Sequence, residues 1–358
     1  MNDTLQDLMR TATRLTRSGR LSEATEVIQR ALHGSGSTDR SAPANLVDPG
    51  LVLDDCVFEA APSAPANVRR DEGRFTAGNH THAALTRGYK LYAPPGHEGR
   101  SLPLVVMLHG CTQDPDDFAA GTGMNERARE QGFFVLYPAQ SQEANPSRCW
   151  NWFKHNHQQR GRGEPALIAS LVQDVMRQHG IDARRVYIAG LSAGGAMAAI
   201  VAEAYPELFA AVGVHSGLAR GAASSLPEAL AAMRNGAGAS TRGTVPTIVF
   251  HGGEDRTVHP RNGEQLIAAV LCGDSPAEMA PPRGPVVREG VSAQGRRYTH
   301  SVHHGEQGEA LAEHWLVHGA GHAWSGGRAE GSYTDVRGPD ASQQMLRFFF
   351  DHPHGQQC

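Results

Sequence analysis

The run Gly190-Leu191-Ser192-Ala193-Gly194 stands between an apolar stretch, VYIA, and an alanine-rich one, AMAAIVAEAY. A serine at such a strand-to-helix junction can act as a nucleophile. The tight turn lifts its hydroxyl above the sheet, the flanking glycines let the two backbones cross, and the helix start offers free N–H groups. A serine hydroxyl also needs a base, and the base needs an acid to orient it. The segment TIVFHGGEDRTV supplies Glu254 and Asp255 at the end of a later apolar run. The Gly252-Gly253 turn favours Asp255 as the acid, because it swings the last residue of the group over the sheet edge; Glu254 is the alternative. His322, in the glycine-rich VHGAGHAW, follows the last such run and is the expected base. The order Ser192, Asp255, His322 is that of α/β-hydrolases.

Acyl transfer builds negative charge on an oxygen, which backbone N–H groups must meet. The residue after the nucleophile, Ala193, is one expected donor, and Cys111 in the HGCTQ loop after another apolar run is the second. This chemistry needs no cofactor. His314, His318 and His322 have metal-ligand spacing, but Gly319 and Gly321 break any helix there, and His300, His303 and His304 read as a polar strand or loop; metal catalysis is rejected. His318 falls within the strand pattern and reads as structural. Trp150, Trp152 and Trp324 lie on loops near these groups and are expected to form apolar walls for the ester, whereas Trp315 reads as core.

Six apolar runs, at 103–110, 133–138, 186–192, 210–216, 247–253 and 314–319, predict buried strands. Helical patterns at 115–130, 164–179, 194–205 and 261–271 fall between several of them, and 341–351 reads as a closing helix. This alternation predicts an α/β fold with a doubly wound, mainly parallel sheet over 70–358. Residues 1–33 read as a helical hairpin, for docking or self-association, and 34–69 as a Gly/Ser/Pro/Ala-rich linker. The chain has 358 residues and a net charge of −4, from 33 Lys+Arg against 37 Asp+Glu, with no basic block, which argues against a nucleic-acid partner. No stretch is apolar for long enough to span a membrane, and the N-terminal residues lack the pattern of a secretory signal, so a cytoplasmic location is expected. Five cysteines are too few and too scattered for a disulfide scaffold.

In combination, HGCTQ, DFAAGTGMNERA, CWNWF, GLSAGGAMA, HGGEDRTV and GAGHAWSGG resemble the esterases of the poly(3-hydroxybutyrate) depolymerase family, which includes feruloyl and acetylxylan esterases. The resemblance spans about 105–330. It implies the α/β-hydrolase fold, a triad of Ser192, Asp255 and His322, oxyanion donors at Cys111 and Ala193, and polyesters, their oligomers or short-chain esters as substrates. The rival substrates are feruloyl or acetyl esters of plant-wall sugars; the rival of another class is a non-catalytic module that binds polymer granules. Many relatives are secreted, which makes an extracellular location the alternative. In those relatives the pair corresponding to Cys111 and Cys149 looks like a disulfide; in a reducing cytosol the two are expected as packed thiols.

Overall fold

The computed structural model describes residues 72–237, 243–271, 284–305 and 308–355. The expected N-terminal hairpin and linker lie outside these residues. β1 (Arg74–His82) and β2 (Leu85–Ala93) form an antiparallel hairpin. The expected central strands follow: β3 (Leu102–Leu108), β4 (Phe134–Pro138), β5 (Ile181–Leu191), β6 (Ala211–His215) and β7 (Thr247–Gly252). After them come β8 (Val286–Val291), β9 (Arg297–His304) and β10 (Ala310–Val317). The sheet order is β1-β2-β4-β3-β5-β6-β7-β10-β9-β8. From β4 to β10 neighbours run parallel, while β1, β2, β8 and β9 flank them antiparallel. A two-stranded ribbon, β11 (Trp324–Ser325) with β12 (Thr334–Asp335), stands apart from this sheet.

The residues of β3 alternate between two cores, as a sheet covered on both faces requires. Leu104, Val106 and Leu108 pack with α3 (Gly163–His179), α4 (Ala193–Ala204) and α6 (Arg261–Leu271). Val105 and Met107 pack with α1 (Pro115–Thr122), α2 (Met124–Gln131) and the closing helix α7 (Ala341–Asp351). The remaining helix, α5 (Leu226–Asn235), is short and was not foreseen. The expected helix at 115–130 is two helices. Asp114 caps the first by accepting from the Asp116 and Asp117 N–H groups, and Gly123, at φ 61°, ends it in the left-handed region open to glycine. Among the described residues, no helix is long and apolar enough to cross a membrane.

Candidate active site

Because β3, β5, β7 and β10 run parallel, the loops that follow them leave the same edge of the sheet. Cys111, Ser192, Asp255 and His322 lie on those four loops. Ligands bind at this edge in open α/β sheets.

Ser192 joins β5 to α4 with φ 57° and ψ −121°, a strained conformation for a residue with a side chain. The turn is held by its N–H, which donates to the His215 carbonyl at 2.8 Å. Its glycines are sterically required: a Cβ on Gly194 would overlap the Leu108 and His109 carbonyl oxygens, and one on Gly190 would overlap the Gly194 backbone. The same crowding presses the start of α4 against the end of β3, and so brings Ala193 towards the loop that carries Cys111. As the first residue of α4, Ala193 has an N–H with no acceptor inside the helix.

Asp255 and His322 are brought together directly. The His322 Nδ1–H donates to Asp255 Oδ2 at 2.7 Å, and Asp255 Oδ1 accepts from the Thr257 and Val258 N–H groups at 2.9 and 2.8 Å. Burial alone would raise the Asp255 pKa, but the hydrogen bond and charge of His322, the Val258 N–H and nearby His251 hold it below the ordinary value. Glu254, the alternative acid, is exposed, whereas Asp255 is buried against His322. Backbone bonds stitch the Asp255 turn to the His322 loop: Gly253 N–H to Val317 O at 2.8 Å and Glu254 N–H to Ala320 O at 2.9 Å. His318, expected to be structural, pairs with Thr299 Oγ1 at 2.8 Å.

The HGCTQ loop is braced from several sides. Gln113 Oε1 accepts the Gly110 N–H at 2.9 Å, while its amide N–H₂ donates to Asp117 and to the Ser332 carbonyl. His109 is buried; its Nδ1–H donates to the Gly110 carbonyl at 2.8 Å and its Nε2 accepts the Gln140 N–H at 3.1 Å. Burial lowers its pKa to about 4, which keeps the ring neutral. Cys111 and Cys149 are neighbours as expected, but as a disulfide with Cα atoms 4.2 Å apart rather than as two thiols. The bridge ties the HGCTQ loop to the CWNWF loop. That loop is held in turn by buried Glu164, which accepts from the Asn151 N–H and side-chain amide at 2.8 and 2.7 Å.

The three tryptophans expected to wall the substrate are in the core. Trp150, Trp152 and Trp324 are 0%, 5% and 1% exposed, so their rings offer no surface to a ligand in this conformation. For two of them the polar edge explains it: the Trp150 indole N–H donates to His109 O at 3.1 Å, and that of Trp324 to Ser342 Oγ at 3.0 Å. Sequence reasoning missed His215, which links the Ser192 turn to Ser325. Its ring stacks between Phe250 and Trp324, its Nε2 accepts the Ser325 N–H at 2.9 Å, and its carbonyl holds the Ser192 turn. Burial, with repulsion from His251 and His322, drives its pKa well below the ordinary value, so it is a neutral brace. The signal available was a lone histidine ending the apolar run AAVGVH.

A ten-stranded α/β-hydrolase sheet with serine, aspartate and histidine on its carboxyl edge defines the class of this protein. The chain belongs to the esterase PHB depolymerase family, whose family model matches residues 87–278. It is similar to poly(3-hydroxyalkanoate) depolymerase C of Paucimonas lemoignei, 31% identical over 235 residues that cover 62% of this chain and 54% of that one. Feruloyl esterase B of Thermothelomyces thermophilus is 31% identical over 46% of this chain and 63% of its own. Acetylxylan esterase A of Emericella nidulans is 29% identical over 49% of this chain and 63% of its own. The chain thus spans less than two thirds of the length of these curated relatives. Among solved structures, an acetyl xylan esterase from Aspergillus awamori shares the fold, with a TM-score of 0.58 at 19% identity over 77% of this chain and 99% of that one.

Proposed function

We propose that this chain is a serine ester hydrolase acting through an acyl-enzyme on poly(3-hydroxybutyrate)-type polyesters, their oligomers or short-chain esters. The observation that carries the reading is the 2.7 Å hydrogen bond from His322 Nδ1–H to Asp255. With Nδ1 protonated, Nε2 carries the lone pair, which is what a base for Ser192 requires. Ser192 Oγ attacks the ester carbonyl carbon as His322 Nε2 takes its proton. The Cys111 and Ala193 N–H groups receive the charge on the carbonyl oxygen. The intermediate collapses, the C–O bond to the alcohol breaks, and His322 returns the proton to the leaving oxygen. Water then attacks the acyl-enzyme by the same route and releases the acid and free Ser192.

Family membership supports ester chemistry, and the depolymerase relative supports a polyester. The feruloyl and acetylxylan esterase relatives favour a second reading, esters of plant-wall sugars. A panel of hydroxybutyrate oligomers, short-chain aryl esters, feruloyl sugars and acetylated xylan separates the two. The polyester reading expects the highest kcat/KM on the oligomers, and a preference for sugar esters overturns it. The Cys111–Cys149 disulfide supports an oxidising, extracellular setting over a cytoplasmic one, because such bonds persist where thiols are not kept reduced.

A further inference from the structure

Five of the six described non-glycine residues with positive φ border the site: Thr112 at 66°, Arg148 at 51°, Ser192 at 57°, Ser216 at 49° and Tyr333 at 52°. The sixth, Ala83, turns the β1–β2 hairpin. Strain of this kind persists only where the surroundings impose it, and it gathers at functional sites. Ser192 makes the nucleophile turn, and the Ser216 hydroxyl lies 3.2 Å from His215 Nδ1 behind it. Thr112 and Tyr333 are far apart in sequence yet meet at the rim, with the Tyr333 hydroxyl 3.2 Å from Thr112 Oγ1.

The backbone around Tyr333 is clamped. Its carbonyl accepts the Trp324 N–H at 2.7 Å, and the preceding Ser332 donates its N–H to Asp117 at 2.7 Å and accepts from Gln113. Tyr333 is thereby fixed between the loop that carries His322 and the loop that carries Cys111. Its side chain, by contrast, is 47% exposed and is the one aromatic residue among those described that is exposed. Glycine would suit this backbone without strain, and a half-exposed ring adds little burial in return. The Thr112 hydroxyl is itself spent as a donor to the Cys111 carbonyl at 2.6 Å, so the Tyr333 hydroxyl is the donor of the pair.

We propose that Tyr333, backed by Thr112, is a substrate-binding subsite for the chain of an uncharged hydroxyalkanoate oligomer beyond the scissile bond. The ring face covers the aliphatic part of the neighbouring unit, and the hydroxyl turns from Thr112 to donate to that unit's ester carbonyl. This deepens the serine-esterase reading and rests on it. It also supplies the exposed aromatic surface that the buried tryptophans do not.

The test compares hydrolysis of a hydroxybutyrate trimer and of p-nitrophenyl acetate by the wild-type chain, Tyr333→Phe and Tyr333→Ala. For Tyr333→Ala, the ratio of kcat/KM on the trimer to that on the acetate should fall about tenfold or more, mainly through KM of the trimer. Tyr333→Phe should recover most of that ratio. Binding of the uncleaved trimer to Ser192→Ala, measured by calorimetry, should weaken by a similar factor when Tyr333→Ala is added. An unchanged ratio and unchanged trimer binding overturn the subsite. So does a Tyr333→Phe as impaired as Tyr333→Ala on both esters with a lowered Tm, which marks the hydroxyl as a structural peg. A wild-type chain that cleaves neither ester overturns the esterase reading itself, and the subsite with it.

Discussion

Asp255 holds His322 by one carboxylate oxygen while the other is occupied by the Thr257 and Val258 N–H groups. A fourth neighbour, His251, lies 3.6 Å from the oxygen that holds His322 and donates its Nε2–H to the Val258 carbonyl at 2.8 Å. The carboxylate therefore has one orientation, and the imidazole it grips has one tautomer.

Asp255→Asn keeps the shape but lets the amide favour the wrong tautomer, and kcat should fall by on the order of 10³- to 10⁴-fold. Glu254→Gln, at an exposed position, should stay within about twofold of wild type. Since Asp255 titrates below the ordinary carboxylate value, loss of its charge should not limit activity near neutral pH, and initial rates across pH check this.

Gly194→Ala places a methyl group against the Leu108 and His109 carbonyl oxygens, both backbone atoms that cannot step aside cheaply. It should destabilise the protein by about 1–3 kcal/mol and lower kcat, because the crossing it disturbs positions Ala193. Gly88→Ala, whose nearest neighbour would be an ordinary 3.7 Å away, should leave Tm nearly unchanged. Thermal unfolding of both variants decides the matter.

The disulfide closes a loop with a sequence separation of 38, for which chain entropy gives about 4 kcal/mol of stabilisation. Dithiothreitol should lower both Tm and kcat, since the bridge fixes Cys111, the proposed oxyanion donor. Cys149→Ser should reproduce both losses and be insensitive to the reductant.

Acid should unfold the protein in two stages. His109 and His314 are buried neutral, with pKa lowered from 6.5 to about 4 chiefly by burial. The unfolded chain takes up these protons first, so stability is full above about 6.5 and declines until about 4, by roughly 3 kcal/mol per histidine at most at 1.36 kcal/mol per pKa unit. Glu164 is held below 4.5 despite its burial by His157, Gln140 and Asn151, so its contribution is present above 4.5 and is lost as pH falls through the lower folded value. Urea midpoints measured from pH 7 to pH 4 should fall steadily; a flat profile contradicts this account.

The centre of the fold was legible because strands buried on both faces must be continuously apolar, as in PLVVMLHG. The flanking strands carry no such mark: β9 reads RYTHSVHH and β8 is exposed along most of its length. Ser192, Asp255 and His322 were legible because each follows an apolar run in a fixed order. Their braces were not, since His215 and Glu164 act on segments remote in sequence and buried polar groups have no periodicity. The tryptophans misled for a related reason. A tryptophan on a loop can face either way, and the partners of its N–H, His109 and Ser342 here, decide which.

The central claim is that Ser192 forms an acyl-enzyme with His322 as its base. Rapid acid quench during turnover of p-nitrophenyl acetate, followed by peptide mass spectrometry, tests it directly. The account predicts an acetyl group on the peptide bearing Ser192, no adduct and at least a 10³-fold loss of kcat in Ser192→Ala, and a comparable loss in His322→Ala. Substantial turnover by Ser192→Ala, or an acetyl group carried stably by a different residue during turnover, would contradict it.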